Sequence, residues 1–256
     1  MTPLHFACIS GNSGIVDILL NEDRKKIKVN EKAIQGNTNF LVTPLHLACK
    51  NGFLEIIEKL LSHSRIDVNV KTINMELQKV QLKSLTQSQA QNLIFDRDVT
   101  PLHYSCKNGN VSIVKMLLSK KQINIDVKAT IQDDIYNPIH LSSMYGHYEV
   151  TKLLLKKKHS FLNSQTNVCY YTPLHLASKY GKDNVVALLC QQSDIEINAK
   201  DARYMTPLHH ACLNGQIDVV KILVNHPKIK LNCISSIYSF EGVDIIFLIE
   251  LVLLYL

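Results

Sequence analysis

Tryptophan is absent from the 256 residues, no CxxC pair occurs among the seven cysteines, and no phosphate-binding glycine loop interrupts the chain. An odd cysteine count without knot-like spacing points away from a disulfide framework. It favours reduced thiols and hence a cytoplasmic, intracellular setting. No nucleophile–base arrangement stands out either, so we expect no catalytic residue, no cofactor and no enzyme. The N-terminus lacks the charged-then-apolar pattern of a secretory signal. The apolar end, residues 243–256, counts 14 residues, short of the ~20 needed to span a bilayer. Charge is nearly balanced: the net +6 is a mild bias that does not by itself imply nucleic acid. What the chain does hold is 46% apolar residues, ample for a core, which excludes disorder throughout.

One hexapeptide pattern recurs six times. It reads Thr2-Pro3-Leu4-His5-Phe6-Ala7, Thr43-Pro44-Leu45-His46-Leu47-Ala48, Thr100-Pro101-Leu102-His103-Tyr104-Ser105, Asn137-Pro138-Ile139-His140-Leu141-Ser142, Thr172-Pro173-Leu174-His175-Leu176-Ala177 and Thr206-Pro207-Leu208-His209-His210-Ala211. Start-to-start distances are 41, 57, 37, 35 and 34 residues. A glycine follows each stretch, and after it come apolar residues at i, i+1, i+4 and i+5, such as Ile56, Ile57, Leu60 and Leu61. That spacing makes one apolar helix face. Each unit therefore reads as a helix opened by Thr-Pro, a glycine break and a second helix. Threonine can cap the free N–H groups of the first turn, and proline fits the first helical position because its missing N–H is not needed there. The glycine supplies a left-handed residue where the helix ends. Neither short helix can bury its face alone, so neighbouring units must stack.

These motifs and a period near 33 residues resemble the ankyrin-repeat family over residues 1 to about 232. The resemblance implies an all-α repeat solenoid of helix-turn-helix pairs with β-hairpin or loop connections, to which this chain's own spacing adds one long loop insertion. It also implies a concave side that binds other proteins, and a motif histidine that hydrogen-bonds within and between repeats.

Second helices exit through Ile-x-apolar-Asn/Asp, seen at Ile66–Asn69, Ile123–Asp126, Ile195–Asn198 and Ile229–Asn232. From Asn198 to Thr206 is 8 residues, whereas from Asn69 to Thr100 is 31. All extra length thus falls in the hairpin segments. The large insertion, residues 71–97, is Gln-rich and reads as a loop with a weak amphipathic helix near 75–92. The fourth unit is the least typical. Asn137 replaces threonine, which still caps, and Ser142 and Ser143 put two hydroxyls on a packed face that need partners. The weakest joint is expected near 127–145. We place the array at 1–239 and read 240–256 as a capping helix, with a degenerate end and a membrane-associating tail as competing readings.

The recurring His/Cys pairs at i, i+3 lie one to a repeat, whereas a zinc site needs about four converging ligands; the expectation is structural histidines and no metal. The basic clusters at Arg24-Lys25-Lys26, Lys120-Lys121 and Lys156-Lys157-Lys158 follow second helices, where cations complement the helix dipole. Carried over from the family, the partner-facing residues are the pair before each glycine: Ile9 and Ser10, Lys50 and Asn51, Lys107 and Asn108, Met144 and Tyr145, Lys179 and Tyr180, Leu213 and Asn214. Hairpin tips add Asp96 and Arg97, Asp133 and Asp134, Val168 and Cys169, and Ala202 and Arg203. Tyr145, Tyr180, Met144 and Arg203 would form the hot spot, since Tyr and Arg are typical anchors. The expected function is protein–protein interaction as a scaffold or adaptor, with an unidentified protein partner, nucleic acid disfavoured and a monomer expected. Alternatives are a membrane-proximal tether using the apolar tail, or a piece of a larger protein whose effector domain lies elsewhere.

Overall fold

A computed structural model of the chain describes residues 1–22, 27–35, 40–74, 97–131 and 133–233. The anticipated helix near 75–92 and the apolar segment 240–256 lie outside the described residues. The chain divides into two compact units, Met1–Pro138 and Ile139–Leu256; the division falls inside the 127–145 segment that the sequence singles out.

In the first unit the helices alternate as α1 (Pro3–Ser10), α2 (Ser13–Glu22), α3 (Pro44–Asn51), α4 (Leu54–Ser62), α5 (Pro101–Asn108) and α6 (Val111–Ser119). First helices pack on first helices, α1 on α3 and α3 on α5, while second helices do the same, α2 on α4 and α4 on α6. Between them run short strands. β1 (Ala33–Ile34) and β2 (Phe40–Val42) form a hairpin, and β3 (Ile73–Asn74) adds to β2, pairing Leu41 with Ile73. β4 (Ala129–Ile131) and β5 (Asp134–Tyr136) form the next hairpin. Arg97 bridges onto Thr130. The 71–97 insertion leaves the scaffold at a closed neck: Thr72 N–H donates to Val99 O (2.9 Å) and Val99 N–H donates to Thr72 Oγ1 (3.0 Å).

The second unit holds α7 (Pro138–Tyr145), α8 (Tyr148–Lys157), a 3-10 turn (His159–Phe161), α9 (Pro173–Lys179), α10 (Asp183–Cys190), α11 (Pro207–Leu213) and α12 (Ile217–Val224). Here α9 packs on α11, α8 on α10 and α10 on α12. The twelve helices among the described residues, paired by repeat, make an all-α repeat solenoid fold.

Each motif opens a helix at its proline, and the glycine six positions past the histidine sits at positive φ in every case, from Gly181 at 64° to Gly146 at 81°. The second-helix faces are buried as the spacing requires: Ile56, Ile57, Leu60 and Leu61; Ile113, Val114, Leu117 and Leu118; Val219, Val220 and Leu223. Each such side chain removed from water contributes roughly 1.5–3 kcal/mol. In α10 the inward set shifts slightly, with Leu188 buried and Cys190 only half-buried.

Ser142 and Ser143 fare differently. Ser142 Oγ donates to Ile139 O (3.1 Å) and accepts from Thr151 Oγ1 (2.9 Å), which ties α7 to α8. Ser143 Oγ is buried with no hydrogen-bond partner, and so is Ser178 Oγ at the equivalent place in the next repeat. The other four repeats carry buried Cys8, Cys49, Cys106 and Cys212 at this place.

Candidate partner-binding surface

The motif histidines are committed to the scaffold. In a capping box the residue three past the cap reaches back to the cap N–H, a role usually filled by Glu or Gln; here histidine fills it after Thr2, Thr43, Thr100, Thr172 and Thr206. Thr43 N–H donates to His46 Nδ1 (3.2 Å), so that nitrogen is unprotonated and Nε2 carries the hydrogen. His46 Nε2 then donates to Val99 O (3.0 Å), the residue just before the next motif. His5 reaches Val42 O, His103 reaches Tyr136 O and His175 reaches Met205 O in the same manner. His140 departs from the series and donates to Ser164 O (2.9 Å). Burial pushes His46 down to about 4, His103 to about 3 and His175 to about 4, against the opposing pull of their carbonyl partners. These rings are neutral clamps. Among the described residues no three His, Cys, Asp or Glu side chains are placed to hold a metal ion, and no helix is long and apolar enough to cross a membrane. All seven cysteines are free thiols.

The exit asparagines have a role that their spacing alone did not disclose. Asn30 Nδ2 donates to Arg65 O (2.7 Å) and its Oδ1 accepts from Asp67 N–H (2.9 Å). Asn69 makes the same pair with Gln122 O and Asn124 N–H. In the second unit Asn163 does so with Asp194 and Glu196, and Asn198 with Lys228 and Lys230. An amide serves both ends because it donates and accepts.

The pairs before the glycines are where side chains reach the surface. Ile9, Ser10, Lys50, Asn51, Lys107, Asn108, Tyr145, Tyr180, Leu213 and Asn214 are exposed, and Met144 and Lys179 are half-buried. Two of the asparagines are already engaged: Asn108 Nδ2 donates to Lys50 O (2.7 Å), and Asn214 Nδ2 donates to His210 O (2.8 Å).

At the hairpins the tips need correction. Asp96 lies outside the described residues. Arg97 is exposed, with Nε donating to Thr130 Oγ1 (3.1 Å). Asp133 is exposed, but Asp134 is buried, because it belongs to β5 and its Oδ1 accepts from Ile135 N–H. Val168, Ala202 and Arg203 are exposed and Cys169 is half-buried. The true turning points are the left-handed residues Asp98, Asp133, Tyr170 and Tyr204, with φ between 56° and 64°. Asp98, Tyr170 and Tyr204 each stand two residues before a motif threonine. The tips read from the sequence stand three and four residues before each motif, one residue short of these three.

The hairpin before α11 carries a feature of its own. Asp201 takes the place that Thr72 and Thr166 hold elsewhere, its Oδ1 accepting from Met205 N–H (2.8 Å) and Arg203 N–H (2.8 Å). Its Oδ2 accepts from His210 Nε2 (2.8 Å), and both side chains are buried. Burial pushes this carboxyl up, but the His210 hydrogen bond and the two backbone N–H groups outweigh it and hold it below the usual carboxylate range. The His210 ring meets Tyr171 edge-on at 5.3 Å, and Lys179 Nζ lies 5.2 Å over the Tyr171 ring and 5.6 Å from that of Tyr180.

The sequence profile described as ankyrin repeats (3 copies) matches residues 1–72, 77–166 and 139–234. The chain belongs to the ankyrin-repeat family, whose repeats are protein-interaction domains and typically non-catalytic. It is similar in fold to a chain of the solved complex of the Bd0816 predatory endopeptidase from Bdellovibrio bacteriovorus with immunity protein Bd3460. The two are 20% identical with a TM-score of 0.66, covering 88% of this chain and 97% of that one. No curated protein sequence matches the chain significantly.

Proposed function

We propose that the chain is a non-enzymatic protein–protein interaction scaffold or adaptor, binding a protein partner through the pre-glycine pairs and the hairpin tips. The observation that carries this reading is a division of labour within each motif. The motif histidines are buried and hydrogen-bonded to the scaffold and the small residues are buried beside them, whereas the pair immediately before the glycine is exposed or half-exposed in all six units. Tyr145 and Tyr180, with Met144 and Arg203, are the anchors; aromatic and arginine side chains concentrate binding energy at such surfaces. The solved neighbour is a complex of an endopeptidase with an immunity protein, which accords with an adaptor role without naming a partner here.

The test is site-specific photo-crosslinking. A crosslinker at position 145 or 180 should capture a polypeptide from the source cell extract, and the same group at exposed Glu149 on a second helix should not. Equal capture from both positions, or none from 145 and 180, removes the reading.

A further inference from the structure

Resting on that reading, we propose that the second unit's surface is built for an acidic, extended segment of a protein, a strand bearing several Asp or Glu side chains.

Two rows of tyrosine run across successive repeats. Tyr145 and Tyr180 hold the last position before the glycine, and Tyr170 and Tyr204 hold the left-handed turn two residues before the motif threonine. The rows are joined by packed side chains: Tyr180 to Lys179, Lys179 to Tyr171, Tyr171 to His210, and His210 to Asp201 of the hairpin that Tyr204 caps. Tyr204 is 59% and Tyr170 49% exposed. A tyrosine at positive φ is strained where glycine is not, so the fold places these rings outward against its own local preference.

Cations predominate on this surface, with exposed Asp183 beside Lys182 at its border. Residues 163–182 and 199–214 contain Lys179, Lys182, Lys200 and Arg203, and Asp201 as the sole acid. That carboxylate is buried, one oxygen accepting from the His210 ring and the other from the Met205 and Arg203 backbone N–H groups. Lys179 and Lys200 are held against rings, Lys200 Nζ lying 5.6 Å over Tyr204, so their ammonium groups are positioned at less entropic cost. Rings to lie against and cations at their edges, repeated from one hairpin to the next, suit a linear chain whose acidic side chains meet those cations.

The experiment is selection of a random dodecapeptide display library on the full chain, followed by titration of the selected synthetic peptides. The expected result is enrichment of Asp and Glu. Binding should weaken about tenfold or more in the Lys179→Gln, Lys200→Gln, Arg203→Gln triple variant, and several-fold from 50 to 500 mM salt, as exposed charge pairs require. Tyr204→Gly, which keeps the left-handed turn and the fold, should also weaken it. Neutral or basic peptides that lose binding in Tyr145→Ala, Tyr180→Ala would overturn the acidic segment while leaving the binding surface in place. Peptides indifferent to those tyrosines, or no peptides at all, would overturn both. A labelled single-stranded oligonucleotide binding here in place of acidic peptides would overturn the proposal in favour of nucleic acid.

Discussion

The two units are made on one plan and finished with different chemistry. Where the first unit turns its hairpins in left-handed conformation it uses Asp98 and Asp133; the second uses Tyr170 and Tyr204. Before their glycines both units show lysine and asparagine, Lys50, Asn51, Lys107 and Asn108 in the first and Lys179 and Asn214 in the second, and the second alone adds tyrosine, Tyr145 and Tyr180. Inside, the buried small residue of the first helix is cysteine three times in the first unit, but serine twice and cysteine once in the second. The hairpin latch is Thr72 in the first unit; in the second it is Thr166 and then Asp201 with its histidine. The teaching is that repeat folds separate two sets of positions. Those that set the period stay fixed, and those that face outward or lie against an adaptable neighbour carry the individuality.

Acid tests the shared plan most severely. A buried histidine whose folded-state value lies far below 6.5 binds its proton only in the unfolded chain, so stability is complete above pH 6.5 and is lost as pH falls toward 4. Each such ring removes up to about 1.4 kcal/mol per pH unit in that window. His46 and His103 lie in the first unit and His175 in the second, all strongly lowered. Hydrogen exchange between pH 6.5 and 4.5 should therefore show both units losing protection, the first unit faster. A pH-independent profile would mean that the rings are not neutral clamps.

The latches come next. Asp201→Ala leaves His210 facing an empty buried site and frees two backbone N–H groups, which should cost about 3 kcal/mol. Thr72→Ala removes one hydroxyl acceptor and should cost about 1 kcal/mol. Denaturant midpoints of the two variants compare them directly, and equal losses would show that the acid–histidine pair adds nothing to the latch. The exit ladder is subtler: Asn69→Asp or Asn163→Asp deletes the amide donor in either unit, and each should lower stability by about 1 kcal/mol. The smallest effect runs the other way. Ser143→Ala or Ser178→Ala removes a buried unpaired hydroxyl and should raise stability by up to about 1 kcal/mol, while Cys106→Ser in the first unit should lower it by a similar amount. A destabilising Ser143→Ala would mean that its hydroxyl has a partner after all.

The helix starts at Thr-Pro, the glycine stops and the inward faces were legible because they are decided within a dozen residues. The site was legible only in part. The exit asparagines recur visibly, but their partners lie in the next repeat: Asn30 bonds Arg65 and Asp67, a connection that only stacking creates. Asp201 and His210 look like unrelated substitutions until a hairpin folds one onto the other. Asp134 was misread as a tip because the hairpin turns at Asp133, one residue earlier. Tyr170 and Tyr204 escaped because a left-handed turn gives no sequence signal unless glycine or asparagine occupies it.

The buried thiols give the molecule an internal clock. Burial pushes Cys8 and Cys49 up to about 12 and Cys212 to about 11, and raises Cys106 as well. Because only the thiolate attacks an alkylating reagent, each of these sulfurs is silent until its own repeat opens. A timed pulse of iodoacetamide, read by peptide mass, would therefore write down the order in which four separate repeats come apart, with no label added to the chain.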